Sequence, residues 1–165
     1  ALERGLVEDA TLASSEAQAD AFWRIRDSIS EAEGAEGQTL AFDLSVSVTE
    51  MPHFISEASA AVEGAFPGTK ASAFGHLGDG NVHFHVRASI RTAPDWYERE
   101  AGETTRFVDN VVAAAGGSIS AEHGIGQMKI DELERLGPPA KLYALRAIKQ
   151  AFDPLGIMNP GKLVR

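Results

Sequence analysis

Apolar and polar positions alternate in two distinct rhythms along the 165-residue chain. Phe22, Ile25 and Ile29 recur at three- and four-residue steps with Ala17 and Ala21 on the same side, which predicts a helix over residues 15–30. Two glycines and three acids over residues 31–38 predict a loop. Leu40, Phe42, Leu44, Val46 and Val48 alternate with smaller or polar residues, the period of a strand. Thr49 is placed to cap a helix over Met51–Ala65, with Pro52 tolerated in its first turn and Pro67-Gly68 ending it. Strand-like runs over 70–77 and 81–87 are joined by Gly78-Asp79-Gly80. Asp95 opens the longest helix, carrying Trp96, Phe107, Val108, Val111 and Val112, and Gly116-Gly117 stops it. A short strand over 118–120 follows. A last helix opens at Pro138-Pro139 with Leu142, Leu145, Ile148 and Phe152 on one face, and Pro154 stops it. Hairpins and crossovers mix without strict alternation, so the expected class is α+β in one domain over residues 1–165, an antiparallel sheet covered on one side by helices.

Composition narrows the function classes. Twenty-four acids against fifteen bases give a net charge of −9, spread over the whole length. That balance argues against nucleic acid and against an anionic membrane surface, both of which need clustered Lys and Arg. No apolar run approaches a membrane span and no basic-then-apolar start reads as a signal peptide, so the expected location is cytoplasmic. The absence of cysteine removes disulfides, thiolate catalysis and Cys-ligated zinc together. Five histidines remain, and three of them, His76, His83 and His85, fall within ten residues.

The hairpin carries the first candidate chemistry. If Asp79-Gly80 is a two-residue type I′ turn, His76 faces His83 directly. Opposed residues have Cβ atoms about 4.5–5.5 Å apart, so two imidazoles there reach a common point at the zinc–nitrogen distance. His83, His85 and Arg87 share one face by alternation, and Val82, Phe84 and Val86 the other. In the second feature, Ser120-Ala121-Glu122-His123-Gly124-Ile125-Gly126, Glu122 is placed to add a hard oxygen to the two histidines, leaving His123 as a base. Two imidazoles and one carboxylate suit zinc, manganese or iron. On the first helix Arg24 and Arg26 lie two residues apart, so one of them at most faces a site; an arginine fork suits a substrate carboxylate.

The segments His76-Leu77-Gly78-Asp79-Gly80-Asn81-Val82-His83, Ser120-Ala121-Glu122-His123-Gly124-Ile125-Gly126 and Asp153-Pro154-Leu155-Gly156-Ile157-Met158-Asn159-Pro160-Gly161-Lys162, with Trp23-Arg24-Ile25-Arg26 before them, resemble the C-terminal domain of FAD-linked oxidases. That group contains glycolate oxidase, D-lactate dehydrogenase and D-2-hydroxyglutarate dehydrogenase. The resemblance runs from about Gly5 to Lys162. It implies a ferredoxin-like sheet forming part of a substrate-binding cap, with FAD held mostly by an N-terminal domain lying outside this chain, and no redox activity for the chain by itself. It implies that His76, His83 and Glu122 are metal ligands, that His123 takes the hydroxyl proton, and that Arg26 holds the substrate carboxylate. It further implies substrate contacts at Ser30 and His85, and places Asn159 and Lys162 in a terminal segment that returns toward the flavin. Its partners are then a small 2-hydroxy acid, the protein's own FAD domain and an electron acceptor.

Departures from the family pattern bear on substrate choice. Members acting on 2-hydroxyglutarate carry a lysine two residues before the Asp-Leu-Ser segment, where this chain has Ala41 before Asp43-Leu44-Ser45. Ser30 and His85 stand where those members have threonine and asparagine, and Ser47 stands where a proline is usual. The expected substrate is a monocarboxylic D-2-hydroxy acid of the glycolate or D-lactate type. The rival readings are a stand-alone metal-dependent hydrolase using His76, His83 and Glu122 to activate water, and a non-catalytic interaction module.

Overall fold

The computed structural model describes residues 2–35, 37–88 and 95–164, apart from the side chain of Ser30. The chain folds as two units, residues 1–36 and 37–165. The first unit holds a 3-10 turn, Leu2–Arg4, and two helices, α1 (Glu16–Asp27) and α2 (Ile29–Ala35). Ser15 caps α1, its Oγ accepting the Gln18 N–H at 3.3 Å. The single helix expected over 15–30 is broken at Ser28, and the loop expected over 31–38 is mostly helical. The Ser28 carbonyl accepts the Ala32 N–H at 2.9 Å and starts the second helix, and Glu31, Ala32 and Glu33 are adequate helix formers. No residue of α1 is buried, and Trp23 is 62% exposed.

The second unit carries strands β1 (Thr39–Ser45), β2 (Thr69–His76) and β3 (Asn81–Ala88), with α3 (Met51–Ala65), α4 (Trp96–Ala114), α5 (Ile130–Leu136) and α6 (Pro139–Phe152). The sheet order is β1-β3-β2, antiparallel throughout. Phe84 stands at its centre, opposite Phe42 on one side and Ala73 on the other. Leu40, Phe42, Leu44, Val82, Phe84 and Val86 point to one face, where Phe54, Ala58 and Val62 of α3 and Val108 and Val112 of α4 cover them. Each such side chain removed from water contributes about 1.5–3 kcal/mol, so this face fixes which residues look the other way.

After α4 the chain returns to β1, where Ser118 and Ser45 exchange hydrogen bonds at 2.8 and 3.0 Å. This bridge sits where the fourth strand of a ferredoxin-like β-α-β-β-α-β unit belongs. The strand expected over 118–120 shrinks to that one residue pair, because the Ser118 hydroxyl turns back to the Ser120 carbonyl at 2.9 Å. Thr49 does not cap α3; its hydroxyl meets Ser47 at 3.0 Å. Helix α5, absent from the pattern reading, buries Ile130 and Leu133 on seven residues, too few for a periodic signal. On the free edge of β2 the Glu63 carboxylate accepts the Ala71 N–H at 3.0 Å and meets Lys70 at 3.3 Å. No helix among the described residues is long and apolar enough to cross a membrane.

Candidate active site

The β2–β3 hairpin turns through four residues, Leu77-Gly78-Asp79-Gly80, and His76 pairs with Asn81. The direct His76–His83 pairing expected from a two-residue turn is therefore displaced by two positions. A type I′ turn needs positive φ at both central residues; Gly80 has it (φ 74) and Asp79 does not. Instead the His76 carbonyl accepts from the Asp79 and Gly80 N–H groups at 3.3 and 3.1 Å, and the Asp79 carboxylate accepts the Asn81 N–H at 3.1 Å. A Cβ at position 80 would come within 2.0 Å of the Val46 carbonyl oxygen, so only glycine fits. A shift of two preserves the face. His76 and His83 remain on one side of adjacent strands as diagonal neighbours, ring centroids 5.8 Å apart and nearly perpendicular.

On its other side His83 is paired with Asp43 of β1. Asp43 is 4% exposed, and the sequence pattern did not single it out for the site. Its carboxylate accepts the backbone N–H groups of Ala121 at 3.0 Å, Glu122 at 2.9 Å and His123 at 2.8 Å. Burial pushes the Asp43 carboxyl up; the His123 and Glu122 N–H groups, the His123 ring and the Ala121 N–H outweigh it and hold it below the ordinary aspartate value. The segment that ends at Gly124 (φ 78) is thereby pinned over the polar face of the sheet. A charged residue in the middle of an otherwise apolar strand, on the histidine face, is the signal that marks Asp43 in the sequence.

This clasp brings Glu122 between the two histidines. One carboxylate oxygen lies 3.4 Å from His76 Nδ1 and the other 4.0 Å from His83 Nε2. Two donors on a common tetrahedral ion, each at about 2.1 Å, stand about 3.4 Å apart; the His76 separation has that value, while His83 is further away and faces the other carboxylate oxygen. His123 stacks beside His83 with centroids 6.3 Å apart, and its Nδ1 lies 3.9 Å from Asp43. Among the described residues, the group whose donor atoms all lie within 4.8 Å of one another is Asp43, Glu122 and His123; the expected set of His76, His83 and Glu122 does not close to that distance. Asp43 is already committed to three N–H groups, which leaves Glu122 as the carboxylate open to a cation. Asn81, also unforeseen, is buried, and its Nδ2 lies 3.4 Å from His76 Nδ1.

The remaining expected site residues lie further from this cluster or in the first unit. His85 lies one step along the polar face from His83, opposite Ala41 on β1 and Ser72 on β2, with Phe74 edge-on at 5.2 Å. Arg26 is on α1 in the first unit, where it meets Asp27 at 3.2 Å. Ser30 is on α2, and its side chain lies outside the described residues. Asn159 and Lys162 line a cavity of about 300 Å³ with Leu145, Ile148 and Phe152 of α6. The next residue, Leu163, donates its N–H to the Gly126 carbonyl at 3.0 Å, tying this tail to the end of the Glu122 loop.

Imidazoles and a carboxylate are thus gathered on the polar face of an α+β unit. The family described as FAD linked oxidases, C-terminal domain, matches residues 1–163. The chain belongs to that family. It is 37% identical over 162 residues to a D-2-hydroxyglutarate dehydrogenase of Stutzerimonas stutzeri, covering 98% of this chain and 35% of the relative. It is 34% identical over 163 residues to the mitochondrial D-2-hydroxyglutarate dehydrogenase of Arabidopsis thaliana, covering 99% and 28%. An uncharacterized FAD-linked oxidoreductase of Mycobacterium tuberculosis is 36% identical over 152 residues, covering 88% and 28%. The chain thus spans about a third of the length of the curated relatives it matches.

Proposed function

We propose that this chain is the substrate- and metal-binding part of a FAD-dependent dehydrogenase that converts a D-2-hydroxy acid to the 2-oxo acid. The observation that carries the reading is the Glu122 carboxylate set between His76 at 3.4 Å and His83 at 4.0 Å, with His123 beside it. Two imidazole nitrogens and one uncommitted carboxylate are a donor set for a divalent zinc, manganese or iron ion. His76, His83 and Glu122 would hold that ion; when bound, it supplies Lewis-acid polarisation of the 2-hydroxyl, and FAD supplies the hydride acceptor. His123 takes the hydroxyl proton. With Nδ1 turned toward Asp43 at 3.9 Å, Nε2 is the nitrogen left to accept it. Arg26 would bind the substrate carboxylate, and Asn159 and Lys162 would contact the flavin.

The substrate we infer is a monocarboxylate such as glycolate or D-lactate. Ala41 offers no charge for a second carboxylate, and a buried carboxylate without a partner costs several kcal/mol. The second reading is D-2-hydroxyglutarate itself. It is supported by the names of the relatives and by the pairing of Ala41 with His85, which sets an imidazole across from the position where a lysine is missing. The deciding measurement is kcat/KM of the full-length protein for D-lactate and D-2-hydroxyglutarate at pH 6 and pH 8. A preference for D-lactate at both values is expected. A preference for the dicarboxylate at both overturns the Ala41 argument, and one confined to pH 6 assigns the distal charge to His85. In the same assay Glu122→Gln is expected to lower kcat/KM by about 100-fold or more, and near-normal activity would remove the metal role.

A further inference from the structure

The loop that presents Glu122 and His123 is gripped from a second direction. Lys129, the residue just before α5, is partly buried, and its Nζ donates to the Ile119 carbonyl at 2.6 Å. Ile119 lies two residues before Ala121, the first of the residues whose N–H groups Asp43 collects, and its own side chain is buried in the core. The Lys129 backbone belongs to the same loop closure: its N–H donates to the Ile125 carbonyl at 3.2 Å, and its carbonyl receives the Leu133 N–H at 2.9 Å. Burial pushes the Lys129 ammonium down from the usual lysine range, while the charges of Asp43 on β1 and Asp109 on α4 oppose that shift. One cation therefore bonds the start of the loop and lies in the field of the carboxylate that bonds its middle. A buried carbonyl needs a donor, and a charged donor makes a stronger bond than a neutral one.

We propose that Lys129 is a positioning residue: by holding the Ile119 carbonyl beside the Asp43 clasp, it fixes the 119–123 segment so that Glu122 and His123 are presented to His76 and His83. This rests on the reading above that those four side chains are the working groups. It adds that the loop is locked by two hands, one anionic on the N–H groups and one cationic on a carbonyl. The side chain never needs to touch substrate to affect the reaction.

The test uses the full-length protein and two readouts, amide hydrogen exchange of the 118–126 segment and Mn²⁺ binding by calorimetry. Lys129→Met keeps the aliphatic stem and removes the donor and charge. It is expected to speed exchange at residues 121–123 by about tenfold or more and to weaken Mn²⁺ binding by a similar factor, with β3 exchange unchanged. Lys129→Arg, which keeps charge and donor, is expected to stay within about threefold of the parent in both readouts. Unchanged loop exchange in Lys129→Met overturns the proposal. So does equal acceleration in the loop and in β3, which would make the lysine an ordinary stability residue, and so does an arginine variant no better than the methionine one. If Lys129→Met fails to fold, Lys129→Gln, with a neutral donor, is compared with Lys129→Arg by the same criteria. Glu122→Gln is run alongside. If it binds Mn²⁺ as the parent does, or if the parent binds none, the site reading fails, while the exchange comparison still decides the role of Lys129.

Discussion

Asp43 and Asp153 are both buried carboxylates that gather backbone N–H groups, and they close loops over very different spans of chain. Asp153 ends α6 and accepts the N–H groups of Ile157 and Met158, each at 2.9 Å, while Lys149 one turn back on the same helix supplies the countercharge. Asp43 reaches N–H groups 78 to 80 residues further along the sequence. The first closure is local and assembles with its helix. The second exists only when β1, β3 and the return from α4 are all in place, so the position of Glu122 is a readout of the whole second unit. A site built this way is as rigid as the fold and is lost with it.

The largest effect that tests this contrast is expected from Asp43→Ala. It leaves three N–H groups without their acceptor, at about 1 kcal/mol or more each in a loop that water can partly reach, for a loss of about 3 kcal/mol. Urea denaturation checks the stability, and kcat/KM of the full-length protein should fall by about 100-fold or more. A variant with normal activity would mean that the loop does not depend on the clasp.

Asp109 sharpens the comparison from the opposite sign. Burial and the neighbouring Glu132 outweigh Lys129 and Arg135, and its carboxyl is pushed up to about 6. The folded state then keeps this proton to higher pH than the unfolded chain does, so the group favours folding most at acid pH. Its contribution falls as pH rises from about 4 to about 6. Asp109→Asn should remove that decline and be more stable than the parent at pH 8 by about 1–2 kcal/mol, and urea midpoints across pH 4–8 measure it. The smallest effect is expected at Asp153. Its bond to Lys149, against burial, leaves the carboxyl below its usual value, so its contribution is present above about pH 4 and lost on further acidification. Asp153→Asn should flatten the acid limb of stability and shift the urea midpoint at pH 7 by less than half as much as Asp43→Ala.

The same division between local and distant closure explains what is legible in the sequence. The α+β class, the three strands and the assignment of Val82, Phe84 and Val86 to the core all follow from period-two alternation, which is a local property. The side of the sheet that holds His76 and His83 is also legible, because parity survives a two-residue displacement. Their register is not. It depends on whether Asp79 takes positive φ, and Asp79 instead spends its carboxylate on the Asn81 N–H. Asp43 reads in the sequence only as a landmark in a strand, since nothing within its neighbourhood reveals partners at 121–123. Helix α6 shows the converse case. Its apolar face is visible in the pattern, yet Ile148 and Phe152 lie exposed, so periodicity locates a face without locating what it packs against.

The four-residue hairpin loop also sets a rule for how this site can vary. Substitutions at Leu77 or Gly78 change a side chain at the tip, but a change in length acts on every residue of β3 at once. One residue added without a compensating bulge would turn the valines and Phe84 outward and bury the imidazoles. Two would spare the core and carry His83 about 7 Å along the sheet, past the reach of Glu122. Descendants of this hairpin can therefore drift in spelling and hardly at all in length, and an alignment gap between His76 and His83 would mark a chain that has given up the site.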